Sequence, residues 1–247
     1  MKKLFTCLTP FEIVLWAGSV IAIVLSTVLS GEPDYFAMTA SLFGVTSLIY
    51  IAKGMPVGQM LMLVFATFYA MISFEKAYYG EMVTYMGMTL PMAVISMISW
   101  LKNPYDKSGE VKVNRLSFKM LLVVALTTLG VTAVFYFILK ALNTANLLIS
   151  TFSVATSFFA VFLTFLRSPL YALGYVANDV VIILLWILAA IEDPGAYSVV
   201  VCFAVFFVND LYGFINWRRI DKRQRENPAT PSDREEKNNG AKDEKNR

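Results

Sequence analysis

The chain has 247 residues, 57% of them hydrophobic and only 16% charged, with mean hydropathy +0.60. A water-soluble domain of this length carries more charge and shorter apolar runs. There is no histidine, and the two cysteines stand far apart at positions 7 and 202, which removes histidine catalysis, the commonest zinc ligand and any close cysteine pair.

Eight stretches reach the length of about 20 residues that a helix needs to cross the hydrocarbon core: 11–29, 35–52, 57–74, 82–101, 118–140, 146–166, 169–191 and 196–217. Lys2 and Lys3 before the first, and "VLSGE" after it, mimic a secretory signal, but the apolar run exceeds a signal core and is expected to be retained. Tyr69 lies deep in the third stretch and Tyr85 in the fourth. Pro91, also in the fourth, has no N–H to donate, so a kink or hinge is expected there. Gly54 and Gly80 read as turn residues. The serines and threonines of 150–157 either line a polar wall or bond back to their own helix.

The seventh stretch, "YALGYVANDVVIILLWILAAI", carries Tyr175, Trp186 and, near mid-depth, Asn178 and Asp179. In hydrocarbon such groups are costly unless they face protein or a water-filled path. Adjacent helical positions point about 100° apart, so one of the pair is expected to line a path while the other bonds a neighbouring helix. Asn209 and Asp210 repeat the pattern in the eighth stretch, ahead of Tyr212 and Trp217. Trp16, Trp100 and Trp217 sit near span ends, where interfacial anchoring is expected.

Residues 218–247 hold ten Lys/Arg against seven Asp/Glu. The segment 219–247 is expected to be disordered, and the basic run 218–225 reads as a cytoplasmic topology signal rather than a nucleic-acid site. With both termini cytoplasmic, the inner loops collect Lys2, Lys3, Lys53, Lys102, Lys107, Lys112, Arg115, Lys119 and Arg167, leaving only Lys76 and Lys140 outside. That asymmetry favours this orientation.

An internal repeat is also visible. "SLFGVTSLIYIAKG…" and "STFSVATSFFAVFLTFLRS…" each open a run of three spans, pass a short basic turn (Lys53, Arg167), and close on Trp followed by cations (Trp100, Trp217). The expected fold is an all-α polytopic membrane protein, 3+1+3, with two parallel three-helix repeats and one extra N-terminal helix. Its parts are the extra helix 1–30, first repeat 31–103, cytoplasmic loop and linker helix 104–142, second repeat 143–218 and tail 219–247. Parallel repeats are a transporter arrangement with the solute near the midplane. No G-x-S-x-G, H-E-x-x-H or phosphate loop is present, so an enzyme is not expected.

At "IAKG", "YAMIS", "YYGEM", Pro91 and "WLKN", and later "LYGFINW", the chain resembles the PnuC family of vitamin B3-type transporters over residues of about 38–217. The resemblance implies a fold related to the SWEET transporters and facilitated diffusion of nicotinamide riboside across the bacterial inner membrane. It implies no cofactor, and a homo-oligomer, a trimer, seated in lipid. Tyr69 matches the family's helix tyrosine and Asp179 an acidic residue of its sixth core helix; Asn209, Tyr212, Gly213 and Trp217 match its N-x-x-Y-G-x-x-W ending. The expected site has Tyr69, Tyr85, Tyr175 and Trp186 holding a planar base, with Asn178, Asp179, Asn209 and Tyr212 meeting its polar groups. A carboxylate at 179 suits a positive ring or couples proton movement. Where many members read W-x-x-W, this chain has Ala172-Leu-Gly-Tyr175. Transport of thiamin, riboflavin or a deoxynucleoside, as in sister families, therefore stays open, as do a channel and a non-transporting scaffold or sensor.

Overall fold

A chain that leaves water must pair its own N–H and C=O groups, so long apolar runs wind into helices. The computed structural model describes residues 8–29, 33–75, 79–106, 109–144, 146–192 and 197–228. Among them, eight helices are long and apolar enough to cross a membrane: α1 Pro10–Leu29, α2 Tyr35–Ala52, α3 Pro56–Glu75, α4 Tyr79–Lys102, α5 Phe118–Ala141, α6 Leu147–Phe165, α7 Tyr171–Glu192 and α8 Tyr197–Glu226. The eight expected spans are all present, and only the end of the last is far from its expected place.

Local chemistry sets the boundaries. Thr9 and Glu12 close a capping box at the start of α1, each bonding the other's backbone N–H. Asp34 caps α2 through the Ala37 N–H at 2.8 Å, and Ser117 caps α5 through Met120. α4 does not break at Pro91. It winds through a π-helical turn over Tyr85–Thr89, which absorbs the lost donor before the α-helix resumes at Leu90. Gly80 is not a loop residue: it lies in the first turn of α4, where a Cβ would come within 2.8 Å of Thr144.

α2 packs on α3 and α3 on α4; α6 packs on α7 and α7 on α8. The two groups meet through α2 against α8 and α4 against α6, while α1 lies on α2 and α8, and α5 on α6. At one end the crossings are tied by matching hydrogen bonds. Trp100 Nε1 donates to Thr164 O and Trp217 Nε1 to Ile51 O, both at 2.9 Å. Ser99 Oγ donates to Phe165 O and Asn216 Nδ2 to Ala52 O. The carbonyls so used belong to the last turns of α6 and α2, beyond the reach of regular i+4 donors; Thr164 O and Ile51 O also accept from the Arg167 and Gly54 N–H groups of the turns that follow. Trp100 and Trp217 are thus not interfacial anchors: both are fully buried, with rings 5.4 Å apart. Trp16 is half-buried and donates to Thr46 Oγ1.

The segment between α4 and α5 lies across this end as a strap. Its Val111 N–H bonds Gly54 O and its Asn114 N–H bonds Arg167 O, so it touches the turns after α2 and after α6. α8 runs on to Glu226 beneath it, where Arg115 meets Asp221 at 2.8 Å, Arg223 meets Glu110, and Gln224 bonds Val113 N and Glu110. Residues 219–226, expected to be disordered, are therefore helical because the strap supplies partners for their charges. Residues 229–247, Cys7, and parts of the four loops assigned to the outside lie beyond the described residues.

Candidate solute-binding site

α7 turns one face inward: Tyr171, Tyr175, Asn178, Asp179, Ile182 and Trp186 recur at helical spacing and are buried or half-buried. α8 answers with Phe203, Phe206 and Asp210, α3 with Phe65 and Tyr69, and α4 with Tyr85 and Thr89 at its π-helical turn. Between them lies a cavity of about 30 Å³, lined by Phe65, Tyr85, Tyr175, Asn178, Asp179, Phe206, Asp210 and their neighbours. That is room for a water molecule, against several hundred Å³ for an organic solute. The walls must part for a solute to enter.

Its polar groups are unequally satisfied. Asn178 Oδ1 accepts from Thr156 Oγ1 at 2.9 Å and Ser157 Oγ at 2.7 Å, which locks α7 to α6. Asp179 of α7 and Asp210 of α8 line the same cavity and are both almost fully buried. Asp179 Oδ2 has no partner although the residue is 2% exposed. A buried acceptor left open in this way is costly and marks where a ligand's donor or positive charge gains most. No lysine or arginine lines the cavity. Among the described residues, no cluster of His, Cys, Asp or Glu is placed to hold a metal ion.

The rings form a graded wall. Tyr69 and Tyr85 stand 4.4 Å apart, and Phe65 meets Tyr85 edge-on at 6.1 Å. Trp186 Nε1 donates to the Tyr69 hydroxyl at 2.7 Å, which fixes a second layer behind Tyr85. Aromatic faces with buried carboxyls can hold a planar, positively charged ring.

The family model described as nicotinamide mononucleotide transporter matches residues 34–219. The chain belongs to that family. Two relatives named nicotinamide riboside transporter PnuC are each 27% identical to it. The Neisseria mucosa protein aligns over 229 residues, 90% of this chain and 86% of its own; the Haemophilus influenzae protein aligns over 217, 87% and 92%. The crystal structure of the vitamin B3 transporter PnuC has the same fold, with a TM-score of 0.78 at 24% identity, covering 89% of this chain and 95% of that one. Members of the family are membrane transporters, not enzymes.

In this transporter the expected site residues fall into three groups. Tyr85, Tyr175, Asn178 and Asp179 line one cavity. Tyr69 and Trp186 form the layer behind it. Asn209 and Tyr212 turn away, toward α1: Asn209 Nδ2 donates to Ser19 Oγ at 3.0 Å, and the Tyr212 hydroxyl donates to Glu12 at 2.7 Å, where Lys53 also binds. α1 takes the polar groups that the sequence had suggested for the solute. Of the second polar pair, Asn209 was expected at the site and Asp210 was not, and Phe65 was missed altogether. Asp210 was signalled by its spacing from Phe203 and Phe206, which sets all three on one face of α8.

Proposed function

We propose that this transporter carries nicotinamide riboside across the bacterial inner membrane by alternating access, as a facilitator with both termini cytoplasmic. The observation that carries the reading is the unpartnered Asp179 Oδ2, buried among aromatic rings in a cavity without cations. A nicotinamide ring bears the positive charge and the flat face that such a cavity complements. Tyr85 and Tyr175 hold the ring, Asn178 and Asp179 meet its polar groups, and Tyr175 occupies the second position of the absent W-x-x-W.

Two three-helix repeats, α2–α4 and α6–α8, rock about this site, with α5 as linker in a SWEET-like arrangement. The matching Trp100 and Trp217 bonds support that division, since each joins the third helix of one triplet to the first of the other. They also close the end bearing the basic strap, which the charge asymmetry places in the cytoplasm. The π-helical turn of α4 gives the first repeat a deformable point beside the site. A trimer surrounded by lipid is the assembly the resemblance implies.

Titration of the detergent-purified protein, followed by heat or tryptophan fluorescence, tests the substrate. Saturable binding of nicotinamide riboside, with none of riboflavin, is the expected result. Binding of thiamin alone moves the protein to a sister specificity, since thiamin also carries a cationic ring. Flux of the bound solute into liposomes separates a transporter from a scaffold.

A further inference from the structure

Beyond the aromatic wall, toward the end of the bundle opposite the strap, a second set of polar groups is left open. α3 and α4 are antiparallel neighbours, and their rings Tyr69 and Tyr85 stand 4.4 Å apart. One helical turn farther from the strap, on the same faces, stand Ser73 of α3 and Glu81 of α4. Ser73 is 0% exposed and Glu81 5%. Ser73 Oγ and Glu81 Oε2 have no hydrogen-bond partner, and neither residue lines the cavity that holds Asp179. A third buried hydroxyl without a partner, Thr144 Oγ1, lies against Gly80.

Packing alone does not call for these groups. Hydroxyls elsewhere in the spans bond back to the carbonyl one turn behind, as those of Thr67, Thr84 and Thr164 do. Ser73 does not. An acid in the first turn of a helix is favoured by the helix dipole when it stays in solvent. Glu81 is instead shut inside with an oxygen open, a cost that only a partner offsets. The combination of an open carboxyl oxygen and aromatic faces repeats that of the cavity, where Asp179 stands with Tyr85 and Tyr175.

We propose that Glu81 and Ser73 form an outer station through which the solute passes before it reaches the cavity, Glu81 meeting the positive ring and Ser73 a ribose hydroxyl. The inference rests on the reading that the solute is a hydroxylated organic cation and that the strap end is cytoplasmic. Tyr69 and Tyr85 are the partition between the two stations. Tyr85 belongs to both, since it lines the cavity and Glu81 stands one turn from it on α4. Its ring offers a face to the cation as it leaves one carboxylate for the other. The π-helical turn that begins at Tyr85 lets that ring swing aside. A carboxylate on the path lowers the barrier to entry and exit alike, so the station governs rate rather than affinity. No charge but the solute's own has to cross, as a facilitator requires.

The test sets uptake of nicotinamide riboside by proteoliposomes at low concentration beside equilibrium titration of the detergent-purified protein. Glu81→Gln should lower kcat/KM of uptake about tenfold. Its equilibrium affinity should stay within about twofold of wild type, because Asp179 still holds the bound solute. Glu81→Asp keeps the charge and should retain uptake within about threefold, while Ser73→Ala should lower it about threefold. Unchanged uptake in Glu81→Gln overturns the station and leaves the substrate reading in place. So does a fall in affinity as large as the fall in uptake, which would put Glu81 at the cavity instead. A wild-type protein that binds neither nicotinamide riboside nor thiamin overturns the substrate reading and the station with it. Because the oxygen replaced has no partner, Glu81→Gln should unfold no more readily than wild type. A marked drop in its thermal midpoint means that Glu81 holds the fold together, and overturns the proposal.

Discussion

The dipeptide Asn-Asp occurs at mid-depth in two neighbouring helices, and the two copies can be compared group by group. In α7, Asn178 bonds the hydroxyls of α6 and Asp179 faces the cavity. In α8, Asn209 bonds Ser19 of α1 and Asp210 faces the same cavity. Each asparagine locks its helix to an outer neighbour, and each aspartate turns inward, so the acids converge while the amides diverge. The cause is the 100° step between adjacent helical residues acting on two helices that pack against each other. Two polar residues in sequence thus serve packing and chemistry separately. They differ in which acceptor is left open: in the second copy it is Asn209 Oδ1, in the first it is Asp179 Oδ2, on a residue that lines the cavity.

The largest effect should come from that oxygen. Asp179→Asn keeps shape and removes the charge, so binding of a cationic solute should weaken by on the order of 2 kcal/mol or more, about thirtyfold. Titration of the folded variant measures it, and unchanged affinity would remove Asp179 from the site. The asparagines should separate next. Asn178→Ala strips a partner from Thr156 and from Ser157, the latter in the cavity wall, costing about 2 kcal/mol of stability and weakening binding several-fold. Asn209→Ala loses the bond to Ser19 at a cost of about 1 kcal/mol, with affinity within about twofold of wild type. If both variants bind equally poorly, the division between the two pairs fails.

A smaller effect tests the ties at the end crossed by the strap. Trp100→Phe and Trp217→Phe each remove one indole donor from a buried carbonyl while retaining most of the ring. Each should cost about 1 kcal/mol, read as a drop in thermal midpoint in detergent. The two drops should match, because the bonds match. A large loss from one and none from the other would show that the two crossings are not equivalent.

These tryptophans also show what was hidden from sequence. Their depth near span ends was legible, but the same depth suits a ring at the lipid interface or one turned to the axis. Only the carbonyls of Thr164 and Ile51, supplied by α6 and α2, decide between them. The eight spans were legible because each meets a length and apolarity that the bilayer imposes on one segment at a time. The polar pairs were legible as pairs; the rotation of each helix was not, since it depends on which neighbour packs where. Asn209 and Tyr212 were read toward the solute because the partners that claim them, Ser19 and Glu12, lie about 190 to 200 residues away. The helical end of α8 was missed for a like reason, since Glu110 and Arg115 hold it from another loop.

The smallest effect concerns the turns after α2 and α6, which the strap holds alike. Gly54 and Arg167 both adopt left-handed backbone, with φ of 67° and 58°, and both offer their carbonyl to the strap. Glycine takes this conformation without strain, whereas a side chain there costs about 1 kcal/mol. Gly54→Ala should therefore destabilise by about 1 kcal/mol, more because its Cβ would sit 3.3 Å from Val111. Arg167→Gly should change stability by less than about 0.5 kcal/mol, since relief of strain offsets the greater freedom of glycine in the unfolded chain. Thermal midpoints of the two variants measure the contrast. A marked loss in Arg167→Gly would mean that the arginine side chain has a role which its backbone position does not require.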